Sequence, residues 1–527
     1  MKAFNAILKQ TVRSALRSKV FLVLFALILL CVIGLPLTIR GDNTAAGLIQ
    51  VSLTYSLNLV IALISASCLW LGCSILSSEI EGYQVHLAVT KPCPRWKLWA
   101  GKFAGVFLMH ALILVASMAL VYGLTFYRLR AAHASGFFSD SDMERLNREF
   151  LVARREFRPA LPDLRDKVTE EYEKRLRQGL VDARSDELAV KKAIMSELAT
   201  AVMRNIVVKP GESHTWTFKN VHLPGKDARL SLRFRMYSND AINTDQRQIP
   251  LDFGLHLLGE EVAQAQGAAP IAWYSDGQEG APYIMPGGSW QEINTLSPEQ
   301  EARIQEEGIP AGVMPATAAQ VVPAAGKAPV VLVIQNLADK FLPPASAIPQ
   351  DEESQKEYKR QVRNSTAVFQ VADGPTLLCP VASFSQNYLR TMLMAIFQLG
   401  FLAALGCTVG ALFSTPVAVF VAVAYLIIGL VVPAALSAPL RGEDGRYMYA
   451  NAWEKSAHVM AKCVQTLVVT VDDLNTTGDL AAGKLVEMDD LGWAFLKVLV
   501  IRSGLLAFLG IFFLTRRELG LVVRRNS

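Results

Sequence analysis

The chain has 527 residues, 52% of them hydrophobic, with a mean hydropathy of +0.29 and a formal net charge of +5. It is longer than one ordinary domain and too apolar for a soluble protein of that size. No nucleic-acid partner is expected.

Met1–Lys19 carries Phe4, Ile7, Leu8, Val12, Ala15 and Leu16 on one helical face and lysine or arginine elsewhere. That pattern suits an amphipathic helix on the inner membrane surface, over 1–19. Six apolar runs of about 20 residues follow, each long enough to cross ~30 Å of hydrocarbon. They are Val20–Thr38, Leu57–Leu76, Phe103–Phe126, Tyr388–Phe413, Val417–Leu436 and Trp493–Leu514. Backbone groups in hydrocarbon must bond internally, so the runs are expected to be helices. Val20–Thr38 is long for a signal-peptide core and no Ala-x-Ala site follows it, so it reads as the first span.

Three basic clusters fall on one side of a six-span arrangement. Lys2, Lys9, Arg13, Arg17 and Lys19 precede the first span; Lys91, Arg95, Lys97 and Lys102 lie between the second and third; Arg516, Arg517, Arg524 and Arg525 follow the last. The positive-inside rule makes that side cytoplasmic, with both termini inside. The expected location is a bacterial cytoplasmic (inner) membrane, with spans one to three in 20–127, four and five in 387–436, the sixth in 493–515 and a cytoplasmic tail over 516–527.

The cytoplasmic loop over 78–102 is the most distinctive stretch. Thr90–Lys102 packs four cations, Pro92 and Pro94, and Trp96 and Trp99 into a turn and a short interfacial helix. Between the third and fourth spans lies a long polar insert, 128–386, expected outside. Its part 139–205 is dense in mixed charge. Leu164, Val168, Tyr172 and Leu176, then Leu188, Met195, Leu198 and Val202, give narrow helical stripes, with Pro159 and Pro162 breaking the first helical stretch, so a helical hairpin or stalk is expected there.

From 206 to 386 the period changes to two and a β-sandwich is expected, making the insert α+β. In Arg229–Tyr237, Leu230, Leu232, Phe234 and Met236 alternate with Arg229, Ser231, Arg233 and Arg235. The arginine row reads as the wet side of a half-buried strand in preference to an anionic glycan or lipid site. His214–Val221, Leu251–Leu258, Ile271–Ser275, Val330–Leu337 and Thr366–Val371 read as further strands. Ser297–Glu307 and Gln350–Arg363 read as polar excursions, and Pro310–Lys327 as an Ala/Pro loop. A second outer loop, 437–492, ends in a short interfacial helix over Leu480–Asp490.

No catalytic constellation appears. The seven histidines have no metal spacing, and no Gly-x-Ser-x-Gly elbow occurs. Gly478–Lys484 satisfies seven places of a phosphate loop, but Leu485 stands where Ser or Thr must reach magnesium. No enzyme activity, metal or bound cofactor is expected. Cys379 and Cys463 are the two outer cysteines, and their pairing is left open.

Glu79-Ile80-Glu81-Gly82, then Thr90-Lys91-Pro92 with Arg95-Trp96 and Gly101-Lys102, resembles the cytoplasmic loop of ABC type-2 exporter permeases. Arg516-Arg517-Glu518-Leu519-Gly520 is similar to the basic tail of that family, and Gly483-Lys484 with Asp473-Leu474 to the segment before its sixth helix. The resemblance covers the spans and short loops, roughly half the chain; the insert departs from it. It implies a transmembrane subunit that works as a dimer of permeases with a separate ATPase subunit binding the ATP. Glu79, Glu81, Gly82, Lys91, Pro92, Arg95, Trp96, Lys97, Gly101 and Lys102 would form the contact to that ATPase, with membrane lipid beside them. Direction would be export. Arg502, Gln398 and Asn58 are candidate cavity-lining residues, although Asn58, Gln398 and His110 suit helix–helix hydrogen bonds better than substrate contacts and Arg502 equally suits snorkelling to the outer surface. The insert would engage substrate or an extracytoplasmic protein partner. A different class of reading is a membrane-anchored receptor or scaffold whose sandwich binds glycan or protein.

Overall fold

Ser18 divides the N-terminal region into two helices, α1 (Lys2–Arg17) and α2 (Lys19–Thr38), its hydroxyl accepting from the Phe21 amide. The computed structural model describes residues 2–39, 44–82, 94–160, 165–178, 190–191, 193–195, 197–198, 206–225, 228–238, 248–256, 271–273, 283–286, 290–296, 313–318, 322, 330–340, 342–344, 351–370, 373–437, 453, 456, 460 and 476–516. Thr11 and Ala15 of α1 are buried and Lys9, Arg13 and Arg17 are exposed, as amphipathic spacing requires; Leu16 departs from it and lies 54% exposed. α1 rests on α4 (Arg95–Ala134), where Gly101 and Gly105 leave room for Ile7 and Thr11.

α3 (Ala45–Glu81) and α4 contain the second and third expected spans and continue past them. At 1.5 Å per residue they are about 55 and 60 Å long, well beyond ~30 Å of hydrocarbon. A short helix, α5 (Asp140–Glu149), follows, with Leu146 fully buried in the helical core. The fourth expected span is α8 (Phe384–Leu412), started by a Ser383/Gln386 capping box. α9 (Thr415–Ser437) coincides with the fifth.

The last span is continuous from Met488 to Arg516, as α11 (Met488–Ala494), a π-helical stretch Phe495–Arg502, and α12 (Ser503–Arg516). The expected helix before it is split into α10 (Thr477–Ala481) and α11, with Gly483 turning the chain at φ 70°. Among the described residues five helices are long and apolar enough to cross a membrane: α2, α3, α4, α8 and Met488–Arg516; the apolar stretch of α9, Thr415–Gly429, is shorter. Of these, α8 is the hub, with 72% of its apolar window buried against 22% for the last span. It crosses α3 at glycines: a Cβ on Gly406 would stand 3.0 Å from Gly72 Cα.

The chain divides into two units, 1–153 with 382–527, and 154–381. The expected boundaries at 128 and 386 therefore shift. α4 runs on to Ala134, and Leu129, Phe138 and Leu146 belong to the first unit's core.

The second unit is built on two sheets. One is ordered β1 (Val152–Phe157), β12 (Thr376–Ser383), β4 (Ser231–Ser238), β11 (Ala367–Phe369), β2 (Ile206–Val208), with β8 (Trp290–Leu296) on β4 and β9 (Val313–Thr317) on β8. The other is β3 (Ser213–Phe218), β10 (Val330–Asn336), β5 (Gln248–His256), β6 (Ile271–Trp273), with β7 (Tyr283–Pro286) on β5. Leu230, Leu232, Phe234 and Met236 share one core with Trp216, Phe218, Val330, Leu332 and Ile334 from the other sheet, and Arg233 and Arg235 are half-buried, as the alternation predicts.

Three expectations change. The 139–205 stretch is not a continuous stalk: β1 interrupts it and joins a sheet, because Val152–Phe157 buries Ala153 and Arg154. Helix α6 (Arg165–Arg177) does form, and its Val168 packs against Ile194 as the helical stripes imply. Gln350–Arg363 becomes α7 (Glu352–Asn364), its first turn capped by the Asp351 carboxylate on the Ser354 amide, and β9 occupies part of the expected Ala/Pro loop. Cys379 is a free, buried thiol; Cys463 and Ser297–Glu307 lie outside the described residues.

Candidate functional site

The two ends of the α3–α4 connection are bound into the helical unit by polar side chains. Glu79, two residues from the end of α3, and Lys102, two turns into α4, form a direct ion pair, with side chains 12% and 1% exposed. Desolvating both charges is costly, so each depends on the other. Ser77 Oγ lies 2.7 Å from Thr415 Oγ1, and Glu81 Oε1 accepts the Thr415 amide at 3.1 Å. A carboxylate there meets the unsatisfied amides and positive dipole end of α9. Gly82 closes α3, its amide donating to the Ser78 carbonyl at 2.9 Å.

On the α4 side, Arg95 Nη1 donates to the carbonyls of Leu514 (2.8 Å) and Thr515 (2.7 Å), which end α12. Trp99 is buried, stacks on Phe103 at 5.4 Å between centroids, and presses against Gly510, where any Cβ would stand 2.5 Å from its indole nitrogen. Gly101 seats Ile7 of α1. Trp96 differs from its neighbours: it is 50% exposed, with the Lys97 ammonium 5.6 Å from its ring centroid. Lys91 and Pro92 lie outside the described residues. Eight of the ten residues expected in this loop are thus described. Five of them, Glu79, Glu81, Arg95, Gly101 and Lys102, hold helices together, Gly82 ends α3, Trp96 is exposed and Lys97 beside it is half-buried.

A second polar cluster lies at the other end of α8. Asn387, 1% exposed, donates to the Lys484 carbonyl at 2.6 Å and accepts the Val486 amide at 2.8 Å. Arg390 Nη1 donates to the Val486 carbonyl at 2.8 Å. Gly483 lies so close to the Glu149 carbonyl that a Cβ would stand 2.7 Å from it. The phosphate-loop-like Gly478–Lys484 is therefore a helix and turn docked on α8.

The three intramembrane candidates are dispersed. Asn58 bonds Thr477 Oγ1 and lines a groove of about 380 Å³ with Leu35, Tyr55, Leu59 and Ala62. Gln398 and Arg502 are half-buried on α8 and at the end of the π-helical stretch, and neither lines that groove. His110 makes the helix–helix bond expected of it, 3.1 Å from Ser67 Oγ. Ser77, Thr415, Gly510, Asn387 and Arg390 carry contacts that sequence reasoning missed; only the Asn387/Arg390 spacing of three, at the start of a span, could have drawn notice. Among the described residues no three His, Cys, Asp or Glu side chains converge on a metal position. The arrangement suits mechanical linkage, since a displacement at the α3–α4 connection bears at once on α1, α9 and α12. Comparison with protein-family models, with curated proteins and with solved structures found no match for this chain.

Proposed function

We propose that this chain is the membrane-spanning permease subunit of an ABC transporter, driven by a separate ATPase subunit from the cytoplasmic side. What supports this reading is the junction at the α3–α4 connection. Glu79–Lys102 joins α3 to α4, Glu81 and Ser77 bind the start of α9, and Arg95 binds the end of α12. Trp96 and Lys97 offer an outward contact on the same short stretch. A partner pushing there moves several helices together, which a bare membrane anchor does not need. In this reading α9 is a sixth span, both termini are cytoplasmic, the chain works as a dimer in an inner membrane, and the two-sheet unit is an extracytoplasmic sandwich that receives cargo or a protein partner. Transport is outward.

The test uses the tagged full chain purified from its native membrane with whatever ATPase accompanies it. Trp96→Ala with Lys97→Glu is expected to lower that ATPase's turnover or its recovery while the chain still accumulates in the membrane. No accompanying ATPase, or turnover unchanged by the double variant, overturns the proposal.

A further inference from the structure

The groove between α2 and α3 has a charged rim. Tyr55, Asn58, Leu59 and Ala62 repeat at helical spacing along one face of α3, opposite Leu35 of α2. From Tyr55 to Ala62 the face descends about 10 Å along α3, away from its start. At the C-terminal end of α2 stands Arg128 of α4. Its Nη1 donates to the carbonyls of Pro36 and Ile39 (the latter at 2.8 Å), one residue on from Leu35, and so closes the end of α2. Nε and Nη2 of Arg128 make no hydrogen bond among the described residues, which leaves that edge of its fork, two donor nitrogens, for an anion.

A mainly apolar groove, with a half-used guanidinium bonded to the residue next to Leu35, matches one amphiphile. We infer that the groove holds one acyl chain of an anionic phospholipid, whose phosphate takes the free edge of Arg128. The volume, about 380 Å³, lies at the small end of ligand sites. A second copy of the chain is a poorer fit, because the exposed apolar residues Leu29, Leu30 and Ile33 of α2 fall, at about 100° per residue, on a face turned away from Leu35 and carry no charge to meet Arg128. The inference does not depend on the transport reading.

The test places the photoreactive residue benzoylphenylalanine at Tyr55, 64% exposed at the rim, in the full chain in nanodiscs of equal phosphatidylglycerol and phosphatidylcholine. Mass spectrometry of the crosslinked chain is expected to find phosphatidylglycerol favoured by at least about fivefold, the order that one basic contact with an anionic headgroup confers. Arg128→Gln is expected to abolish the preference and Arg128→Lys to keep it. Ala62→Trp, which fills the furrow, is expected to abolish it with Arg128 intact, so the outcome does not rest on one variant's folding. Equal capture of both lipids by the parent chain marks an unselective lipid shell and overturns the inference, as does crosslinking chiefly to a second copy.

Discussion

Lys102 of α4 and Glu79 of α3 form an ion pair in which the ammonium is all but sealed from solvent, 1% exposed, and the carboxylate 12%. Removing one partner leaves the other buried without compensation, whereas removing both leaves only a packing problem. Glu79→Ala is therefore expected to cost about 3–5 kcal/mol. Glu79→Leu with Lys102→Met is expected to lose much less. Thermal midpoints of detergent-solubilised protein, read by size-exclusion chromatography, check this. A double variant no more stable than Glu79→Ala would show that the pair does not act as a unit.

Glycine substitutions at the α3–α8 crossing and away from it are expected to differ in sign. Alanine at Gly410 would place a Cβ 2.5 Å from the Cys73 carbonyl oxygen, a backbone atom that cannot swing away. Separating the helices is expected to cost about 1–3 kcal/mol, in the manner of an overpacked core. At Gly504 of α12 nothing lies within 4 Å, so alanine there is expected to be neutral or to stabilise by up to about 1 kcal/mol through helix propensity. The same melting measurement on both variants decides it; equal losses would refute the close crossing.

The long apolar helices were legible in the sequence because a run of about 20 apolar residues favours helix: α2, α3, α4, α8 and Met488–Arg516 cover five of the expected runs to within one residue and are long and apolar enough to cross a membrane, while α9 covers the fifth run with a shorter apolar stretch. What the apolar runs do not encode is how far a helix continues into polar sequence. Arg128 and Arg130 sit inside α4, while their charges suggest a loop. Strands with clean alternation, such as β4, were readable; β1 was not, since Val152-Ala153-Arg154-Arg155-Glu156-Phe157 has no period-two pattern and takes its form from its sheet neighbour. In the loop, sequence picked out the charged residues but not their partners. Glu81 bonds an amide 334 positions away and Arg95 carbonyls 419 and 420 away, distances at which no local pattern carries information.

Asn336 is a fully buried amide at the end of β10 and uses every part of its head group. Nδ2 donates to the carbonyls of Val208 (3.0 Å) and Ser365 (2.8 Å), and Oδ1 accepts the Ala338 amide at 3.0 Å. Val208 lies in β2 of the other sheet, so this side chain ties the sheets together. Asn336→Ala orphans three backbone groups and is expected to cost about 2–4 kcal/mol. Asn336→Asp keeps the acceptor but turns a carboxylate oxygen toward two carbonyls, and is expected to be at least as damaging. Hydrogen exchange of the full-length variants over 206–208 and 365–369 should rise; unchanged protection there would show the tie to be dispensable.

The Cys379 thiol lies inside β12, and burial pushes it up to about 11, outweighing the downward pull of the nearby Arg155 guanidinium. At pH 8 a thiol of that kind is thiolate at only about one part in a thousand, against roughly a quarter for an ordinary cysteine near 8.5. Because the folded value is raised, the folded state holds its proton more tightly than the unfolded chain. The resulting stability is fully present below about pH 8.5 and is lost as pH climbs toward 11. Maleimide at pH 8, with the Cys379 peptide read by mass spectrometry, is expected to label this residue slowly in the native protein and fast once urea unfolds it. The urea midpoint is expected to fall as the buffer moves from pH 8.5 to 10.5, and to fall less in Cys379→Ala. Prompt native labelling, or a midpoint with the same alkaline slope in both proteins, would place the thiol in water instead of in the core.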